Sequence, residues 1–261
     1  MKKLVHGVCI QLLHFTNLIM YKESIENYLD KHGYDSLSLK AVLFDMDGVL
    51  FDSMPNHAES WNEVMKKFGF GLSREEAYLH EGRTGAATIN IVSMRERGHE
   101  ATEEEIKQIY QLKTELFNQR PLAPRMPGAF ELIEQVKAAG LQPVLVTGSG
   151  QLSLIERLNK NYPETFKKEL MVTAFDVKYG KPHPEPYLIA LEKAGIQANE
   201  AIVVENAPLG VEAGSTAGIF TVAVNTGPIP DQVLIEAGAD YLFHSMNEFS
   251  EQWKEFYQST L

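Results

Sequence analysis

Cysteine is almost absent from this chain of 261 residues, because Cys9 is the only one. No disulfide can form within the chain, and no group of thiolates is available to bind zinc. Such a composition fits a reducing compartment, and we expect a cytoplasmic location. Long apolar runs are missing as well, since polar residues interrupt every stretch before the roughly 18 apolar residues of a membrane-spanning helix. We therefore expect no membrane partner.

Basic residues are outnumbered, with 24 Lys and Arg against 35 Asp and Glu and a net charge of −11. A protein that binds DNA or RNA without sequence preference needs a basic surface that displaces counterions. We therefore expect no nucleic-acid partner. A chain of this charge that handles anions has to do so locally, with a metal ion or a few well-placed donors. The apolar content of 44% is ordinary for a globular protein and excludes a collagen-like or wholly disordered chain.

Residues 1–38 are interpreted as an N-terminal extension. A basic start followed by an apolar stretch loosely resembles a signal peptide, but His6, Gln11 and other polar residues interrupt it, and no small-x-small cleavage site follows. Met20 opens a polar segment, so a start at Met20 or a loosely packed extension is favoured over secretion. The folded unit is expected to begin at Lys40.

Strands and helices alternate in the rest of the chain, with one long helical interruption. Residues 54–122 carry apolar stripes at helical spacing and no convincing strand. This pattern predicts an α/β fold with a mostly parallel sheet and helices on both faces. The core covers 39–53 and 123–261, and a helical-bundle cap is inserted at 54–122. Short apolar runs predict buried strands at 41–44, 144–146, 201–204 and 220–223.

Polar residues follow three of the predicted strands, and another lies on a loop. Because the carboxyl ends of parallel strands meet at one edge of a sheet, we expect these residues to converge. Taken singly, most of them are typical of turns, helix caps or solvated charges, and only their joint placement favours a functional site. The residues are Asp45 and Asp47, then Thr147, Gly148, Ser149 and Gly150, then Glu205 and Asn206, with Lys181 on the loop.

Such a set of side chains suits phosphoryl transfer. Clustered carboxylates repel one another unless a cation joins them, and oxygen ligands suit Mg²⁺. A hydroxyl group and loop amides can hold phosphate oxygens, and a lysine can neutralise their charge. One carboxylate can attack phosphorus while its neighbour moves a proton.

The sequence also carries a family resemblance over about 40–245. Thr147, Lys181 and the pair Glu205-Asn206 fall where the second, third and fourth motifs of the haloacid dehalogenase superfamily belong, and the helical insert is similar to the cap of its β-phosphoglucomutase-like branch. The resemblance implies a Rossmann-like core, Asp45 as nucleophile, Asp47 as general acid/base, and Thr147 and Lys181 as phosphate ligands. Asp47 argues against a true dehalogenase, which has no leaving-group oxygen to protonate. The superfamily's first motif is matched by the stretch that begins at the end of the first predicted strand, Phe44-Asp45-Met46-Asp47-Gly48-Val49-Leu50-Phe51-Asp52-Ser53.

Three features depart from the mutases of that branch. Asn206 stands where the fourth motif usually has an aspartate. In the cap, Glu81 falls at the position of a lysine, and Gly85 falls at the position of the arginine that holds the sugar's second phosphate. Gly150-Gln151 replaces the Lys-Asn that often follows the second motif. These changes argue against mutase activity.

The stretches 80–85, 147–151 and 205–210 closely resemble those of a bacterial inorganic pyrophosphatase of this superfamily, a magnesium-dependent enzyme that hydrolyses diphosphate. We therefore expect Mg²⁺ to be held by Asp45, the main-chain carbonyl of Asp47, Glu81 and Asn206. Glu205 is either a further ligand or a partner of Asn206. The substrate, a small phosphorylated compound, is expected to contact Asp45, Asp47, Thr147, Gly148, Ser149, Gly150, Gln151 and Lys181.

Other interpretations remain open at this point. A β-phosphoglucomutase or a sugar-phosphate phosphatase shares the fold and motifs, and similarity alone does not fix the substrate. An inactive anion-binding protein is a further alternative, although the intact Asp45, Asp47, Thr147 and Lys181 weigh against it. His57 and Trp61 are weaker site candidates, because an aromatic residue at such a position is more often cap core. Nothing in the sequence indicates an oligomeric state.

Overall fold

The structure is a computed structural model. It describes residues 2–149 and 153–261, and it describes side chains over 16–149 and from 156 onward. Gly150 and Gln151, which the sequence places in the substrate site, lie outside the described residues, so their role stays a prediction.

A parallel sheet forms the centre of the core, as predicted for an α/β fold. Its described strands lie in the order β2-β1-β3-β4-β5, and every neighbouring pair is parallel. Phe44 at the end of the first strand lies beside Leu145 and Val204, so the loops that follow these three strands leave the sheet at the same level. The strands are β1 (Ala41–Phe44), β2 (Gln142–Leu145), β3 (Ala201–Glu205), β4 (Phe220–Val224) and β5 (Tyr241–Phe243). The sequence did not predict β5, which has only three residues.

Helices cover both faces of the sheet, because β1 buries alternate residues on opposite sides. Val42 and Phe44 pack with the helices over 129–138 and 246–259, whereas Ala41 and Leu43 pack with those over 185–194 and 208–216. This two-sided burial explains why the strands read as continuous apolar runs. The helices of the core are α6 (Ala129–Ala138), α7 (Ser153–Asn161), α8 (Glu185–Ala194), α9 (Pro208–Thr216), α10 (Asp231–Glu236) and α11 (Met246–Ser259).

Four helices, here called the cap helices, lie between β1 and β2 in the chain. They bury an apolar cluster of their own that includes Val64, Ile89 and Ile109. Thr102 and Glu105 form the predicted capping box at the start of the last cap helix. The division of the chain at 39–53, 54–122 and 123–261 stays a prediction. The cap helices are α2 (Met54–Lys67), α3 (Arg74–Leu79), α4 (Gly85–Arg97) and α5 (Glu103–Asn118).

The expectation that the folded unit begins at Lys40 is wrong. Helix α1 (Lys2–His32) lies before it, and Tyr21, Ile25 and Tyr28 are buried in the same cluster as the sheet. The Tyr28 hydroxyl donates to the carbonyl of Gly218 at 2.9 Å. Spacings of four and three residues put these side chains on one face of a helix, so this part of the extension is packed rather than loose. Neither α1 nor any other helix in the described ranges combines the length and apolarity needed to cross a membrane.

We predict that Tyr28→Ala destabilises the whole core, because Tyr28 is 0% exposed. Truncation of a buried aromatic side chain typically costs about 3–5 kcal/mol. Urea unfolding should therefore show a lower free energy of unfolding by about 3 kcal/mol. The control is Glu23→Ala on the exposed face of α1, which should change stability by less than about 0.5 kcal/mol. Equal midpoints for the two variants would show that α1 does not contribute to the stability of the core.

Candidate functional site

The loop after β1 carries Asp45 and Asp47 to the edge of the sheet. The amide of Asp45 continues the ladder by donating to the carbonyl of Val204 at 3.1 Å. Gly48 has a φ of +82°, and a Cβ there would overlap the side chain of Asn206. Glycine thus permits both the left-handed turn and the close approach of Asn206 to the two aspartates.

Lys181 is the cation at the centre of the site, and it is 3% exposed. Its Nζ lies 2.5 Å from Asp45 Oδ1, 2.5 Å from Glu205 Oε1 and 3.1 Å from the carbonyl of Val146. A surface lysine was the alternative interpretation, and this burial rules it out. Burial by itself lowers the pKa of Lys181, but Asp45 and Glu205 outweigh that effect and raise it. Lys181 is therefore charged and bonded to both carboxylates.

Glu205 is fully engaged by donors of the protein. Its Oε1 accepts from Lys181 and from the Tyr187 hydroxyl at 2.7 Å, and its Oε2 accepts from the amides of Asn206 and Ala207. The sequence left open whether Glu205 is a metal ligand or a partner of Asn206. These contacts favour the second role, because both oxygens are already used.

The two aspartates differ in charge environment. Burial and the nearby carboxylate of Glu205 raise the pKa of Asp45 to about 7, although Lys181 acts in the opposite direction. Burial also acts to raise the pKa of Asp47, but His57, a hydrogen bond from Ser53 and the charge of Lys113 outweigh it and lower the pKa to about 2. Asp47 is therefore ionised and able to accept a proton in this state. Two neighbouring carboxylates whose surroundings give them different pKa values are typical of a catalytic acid/base pair.

Glu81 reaches into the site from the loop between α3 and α4. Its Oε2 accepts from Asn206 Nδ2 at 3.0 Å. Its pKa is raised well above the usual range, first by burial and then by the charge of Asp45. The alternative of a solvated helix-end glutamate does not fit this position, because the other oxygen, Oε1, is also buried.

The oxygen donors at the site fit a magnesium ion. Within the described residues, no group of three His, Cys, Asp or Glu is arranged to hold a metal by itself, so the predicted set depends on an amide and a main-chain oxygen. Glu81 Oε1 and Asn206 Oδ1 are buried and accept no hydrogen bond from any described residue. Two unsatisfied oxygen acceptors beside a cluster of carboxylates fit a hard cation such as Mg²⁺.

The cap loop lies directly against the core loops. Gly82 has a φ of +86°, and its carbonyl oxygen would lie 3.1 Å from a Cβ on Gly148. Between loop and core is a cavity of about 90 Å³, which we call the central cavity. Its lining includes Asp45, Asp47, His57, Trp61, Glu81, Arg83, Gly85, Tyr110, Lys113, Thr147, Gly148 and Ser149.

Thr147 lies at the wall of the central cavity and is almost fully buried. Its Oγ1 accepts from the amide of Ser149 at 3.1 Å. The sequence predicted this amide as a free donor to a phosphoryl oxygen, but in this state it is bonded to Thr147. Gly148 contacts the cap loop, and its predicted role toward the substrate stays a prediction.

Two cap residues at the cavity were missed by the sequence analysis. Lys113 is 4% exposed, its Nζ lies 2.8 Å from His57 Nδ1, and burial lowers its pKa to about 8. Tyr110 occupies the space that a side chain at position 85 would need. The available signal was a lysine on the buried face of α5, four residues after Ile109 and three before Leu116.

The two weaker candidates also line the central cavity. His57 Nε2 lies 3.4 Å from Asp47 Oδ1, and its ring stacks on Phe117. Burial and the charge of Lys113 lower the pKa of His57, which makes it a neutral partner. Trp61 packs against the apolar cluster of the cap helices as well as facing the cavity, so the structure fits both interpretations of it.

Comparison with protein-family models matches residues 42–224 to the haloacid dehalogenase-like hydrolases. A phosphorylated carbohydrates phosphatase of Thermotoga maritima is 31% identical and covers 77% of this chain and 92% of its own length. Hexitol phosphatase A of Escherichia coli is 30% identical and covers 81% and 93%. A solved structure described as "Putative beta-phosphoglucomutase from Bacteroides vulgatus" is 66% identical, with a TM-score of 0.91, and covers 93% of this chain and 98% of its own.

These relatives support the superfamily and the β-phosphoglucomutase-like branch that the motifs indicated. None of the three is named as a pyrophosphatase, so they do not support the finer resemblance drawn from the sequence. The family match extends over most of the chain and includes all four motifs. The chain thus belongs to the haloacid dehalogenase-like hydrolase family, as an enzyme of its phosphatase type.

Proposed function

We propose that this protein is a magnesium-dependent phosphohydrolase whose substrate is inorganic diphosphate. The proposal depends on two side chains that the cap places at the central cavity, Glu81 and Tyr110. Glu81 extends toward Asn206, and the ring of Tyr110 closes the space beside Gly85. The cap therefore brings a carboxylate and an aromatic ring to the side of the cavity where the leaving group of a substrate would lie.

The charge of Glu81 also favours a substrate that arrives with a metal. A buried carboxylate facing a bare phosphate would repel it, whereas a cation between them converts repulsion into attraction. Asp45, the carbonyl of Asp47, Glu81 and Asn206 are the groups that would hold Mg²⁺. When bound there, the ion would neutralise negative charge on the phosphoryl oxygens.

In the proposed first step, a carboxylate oxygen of Asp45 attacks one phosphorus of diphosphate. A bond forms between that oxygen and phosphorus, and the bond from phosphorus to the bridging oxygen breaks. Lys181 and Thr147 hold the phosphoryl group, and Asp47 passes a proton to the departing phosphate. Because Asp47 is ionised in the resting protein, that proton has to arrive with the substrate.

In the second step, water attacks the phosphorus of the aspartyl-phosphate. Asp47 takes the proton from that water, the bond from phosphorus to Asp45 breaks, and a second phosphate is released. Lys113 faces the cap side of the cavity, where its Nζ contacts His57 and its charge acts on Asp47. We assign it to the charge of the departing phosphate, because one carboxylate that also handles a proton does not hold a constant negative charge beside it.

A second candidate, a sugar-phosphate phosphatase, is favoured by the relatives. By their names, the proteins from Thermotoga maritima and Escherichia coli are phosphatases of phosphorylated carbohydrates and of hexitol phosphate. Both candidates use the same core chemistry. They differ in whether the leaving group that meets the cap is a phosphate or a sugar.

Asp45→Asn is expected to abolish turnover and leave the fold unchanged. The amide is nearly isosteric but cannot act as the nucleophile, so the rate should fall by a factor on the order of 10³ or more. Phosphate release from diphosphate and circular dichroism measure the two properties. Asp52→Asn is the matched control, because Asp52 is an exposed residue of the same loop. Activity of Asp45→Asn close to that of the control would refute the assignment.

Glu81→Gln is expected to weaken magnesium binding by at least about tenfold, or 1.4 kcal/mol, because one charged ligand is lost. Calorimetric titration with Mg²⁺ measures the affinity, and turnover of diphosphate should recover partly at high Mg²⁺. Glu75→Gln, in the exposed first turn of α3, is the control. An unchanged affinity together with normal turnover would show that Glu81 is not a ligand.

A substrate panel decides between the two candidate functions. We expect kcat/KM for diphosphate to exceed that for β-glucose 1-phosphate and simple phosphate monoesters. Tyr110→Ala should open the space beside Gly85 and reduce this preference by about tenfold, a typical effect of pocket size. A wild-type preference for sugar phosphates would instead establish the second candidate.

A further inference from the structure

A second cavity, of about 380 Å³, adjoins the central cavity. The end of α5, the chain that leads back from the cap helices and helix α7 form its walls. We call it the lateral groove and define it by Asn118, Leu122, Glu156, Arg157 and Lys160.

The lateral groove and the central cavity meet at the proposed acid/base. Asp47, His57 and Ser149 line both of them. Asp47 therefore borders both cavities, and a group released beside it lies next to the lateral groove as well as to the cap.

Arg157 gives the groove a positive charge that no described carboxylate compensates at ion-pair distance. Its guanidinium donates to the carbonyl of Ala123 at 2.9 Å and lies 3.9 Å from the ring centroid of Phe51. Lys160 adds a second cation at an exposed position, and Glu156 is the carboxylate of the groove besides Asp47. A guanidinium that a carbonyl and an aromatic ring hold in place, and whose other N–H groups remain available as donors, is suited to bind a phosphate.

The proposed reaction needs a place for its first product. After the attack by Asp45, one phosphoryl group stays on the enzyme while the other phosphate is free. The cap loop covers the central cavity, because the carbonyl of Gly82 lies against Gly148. The lateral groove offers the freed phosphate a way out that does not require this loop to move.

We propose that the lateral groove is a second phosphate site, in which Arg157 and Lys160 bind the departing phosphate. No bond forms or breaks in this transfer, since the phosphate moves as an intact ion after its release. The site is separate from the one formed by Thr147 and Lys181. Its role in turnover rests on the proposed diphosphatase function, but its affinity for inorganic phosphate does not.

The first test measures binding of inorganic phosphate to the intact protein by equilibrium dialysis in the presence of Mg²⁺. We expect two phosphates per chain for the wild type. The double variant Arg157→Gln/Lys160→Gln should bind the second phosphate at least about tenfold more weakly. Lys167→Gln is the control, because Lys167 is exposed on the core away from the groove lining. Lys160→Gln alone, at an exposed site, gives a weaker version of the same result if the double variant does not fold.

The second test separates chemistry from release, with diphosphate as substrate. Rapid quenching measures formation of the aspartyl-phosphate, and a fluorescent phosphate sensor measures release. The double variant should form the intermediate at the wild-type rate and release the first phosphate several-fold more slowly. Asn118→Trp, at an exposed position of the groove wall, should slow release in the same way by obstruction.

The outcomes distinguish the two proposals. One phosphate per chain in the wild type, or two in the double variant with unchanged affinity, overturns the lateral groove as a phosphate site. Two phosphates in the wild type and one in the double variant, without hydrolysis of diphosphate, support the site and refute the diphosphatase function. Release at the wild-type rate in both groove variants, with diphosphate hydrolysed, overturns the role of the groove in product release.

Discussion

The contact of Lys181 with Asp45 and Glu205 is the interaction on which the rest of the site depends. It is buried, so each partner left alone would be an uncompensated charge in a water-poor region. Burial raises the pKa values of Asp45 and Glu81, and the negative charge that one ammonium leaves uncompensated raises them further. At neutral pH, a further cation would therefore favour the ionised form of both groups. Asn206, an amide where the family usually has a carboxylate, limits that uncompensated charge.

The strand register positions the charged residues of the site, and two glycines allow the loops that carry them to approach one another. Phe44 lies level with Leu145 and Val204, so the three loops that carry site residues begin at the same height. Gly48 then lets Asn206 approach the first loop, and Gly82 lets the cap loop approach Lys181. A side chain at either glycine would meet a residue of the site. The parallel register thus fixes the direction of the side chains, and the two turns fix their distance.

The convergence of the site could be predicted from the sequence, because it follows from strand order and from the rule that parallel strands end at one edge. The partners of individual groups could not. Burial of Lys181 depends on how its loop folds over β1, and the contact of Lys113 with His57 joins residues on two different cap helices. The spacing of Tyr21 and Tyr28 does indicate the apolar face of a helix, but the sequence does not indicate which part of the protein that face packs against. For Glu205, only the contacts of its two oxygens distinguish a metal ligand from a positioning residue.

Substrate choice is decided by the cap rather than by the core. Asp45, Asp47, Thr147 and Lys181, to which the proposed mechanism assigns phosphoryl transfer, would act on the same phosphoryl group in diphosphate and in a sugar phosphate. Discrimination has to come from groups that meet only the leaving group, because a contact shared by both substrates contributes nothing to the difference in binding free energy. In this chain the cap brings a carboxylate, an aromatic ring and a buried lysine to that place. A departing phosphate adds a second anion to Asp47 beside this lysine, whereas a neutral hydroxylated sugar adds none. Because burial lowers the pKa of Lys113 to about 8, the lysine can lose its proton at pH 7 at a cost of about 1.4 kcal/mol, so its charge contributes about tenfold to the choice between the two leaving groups.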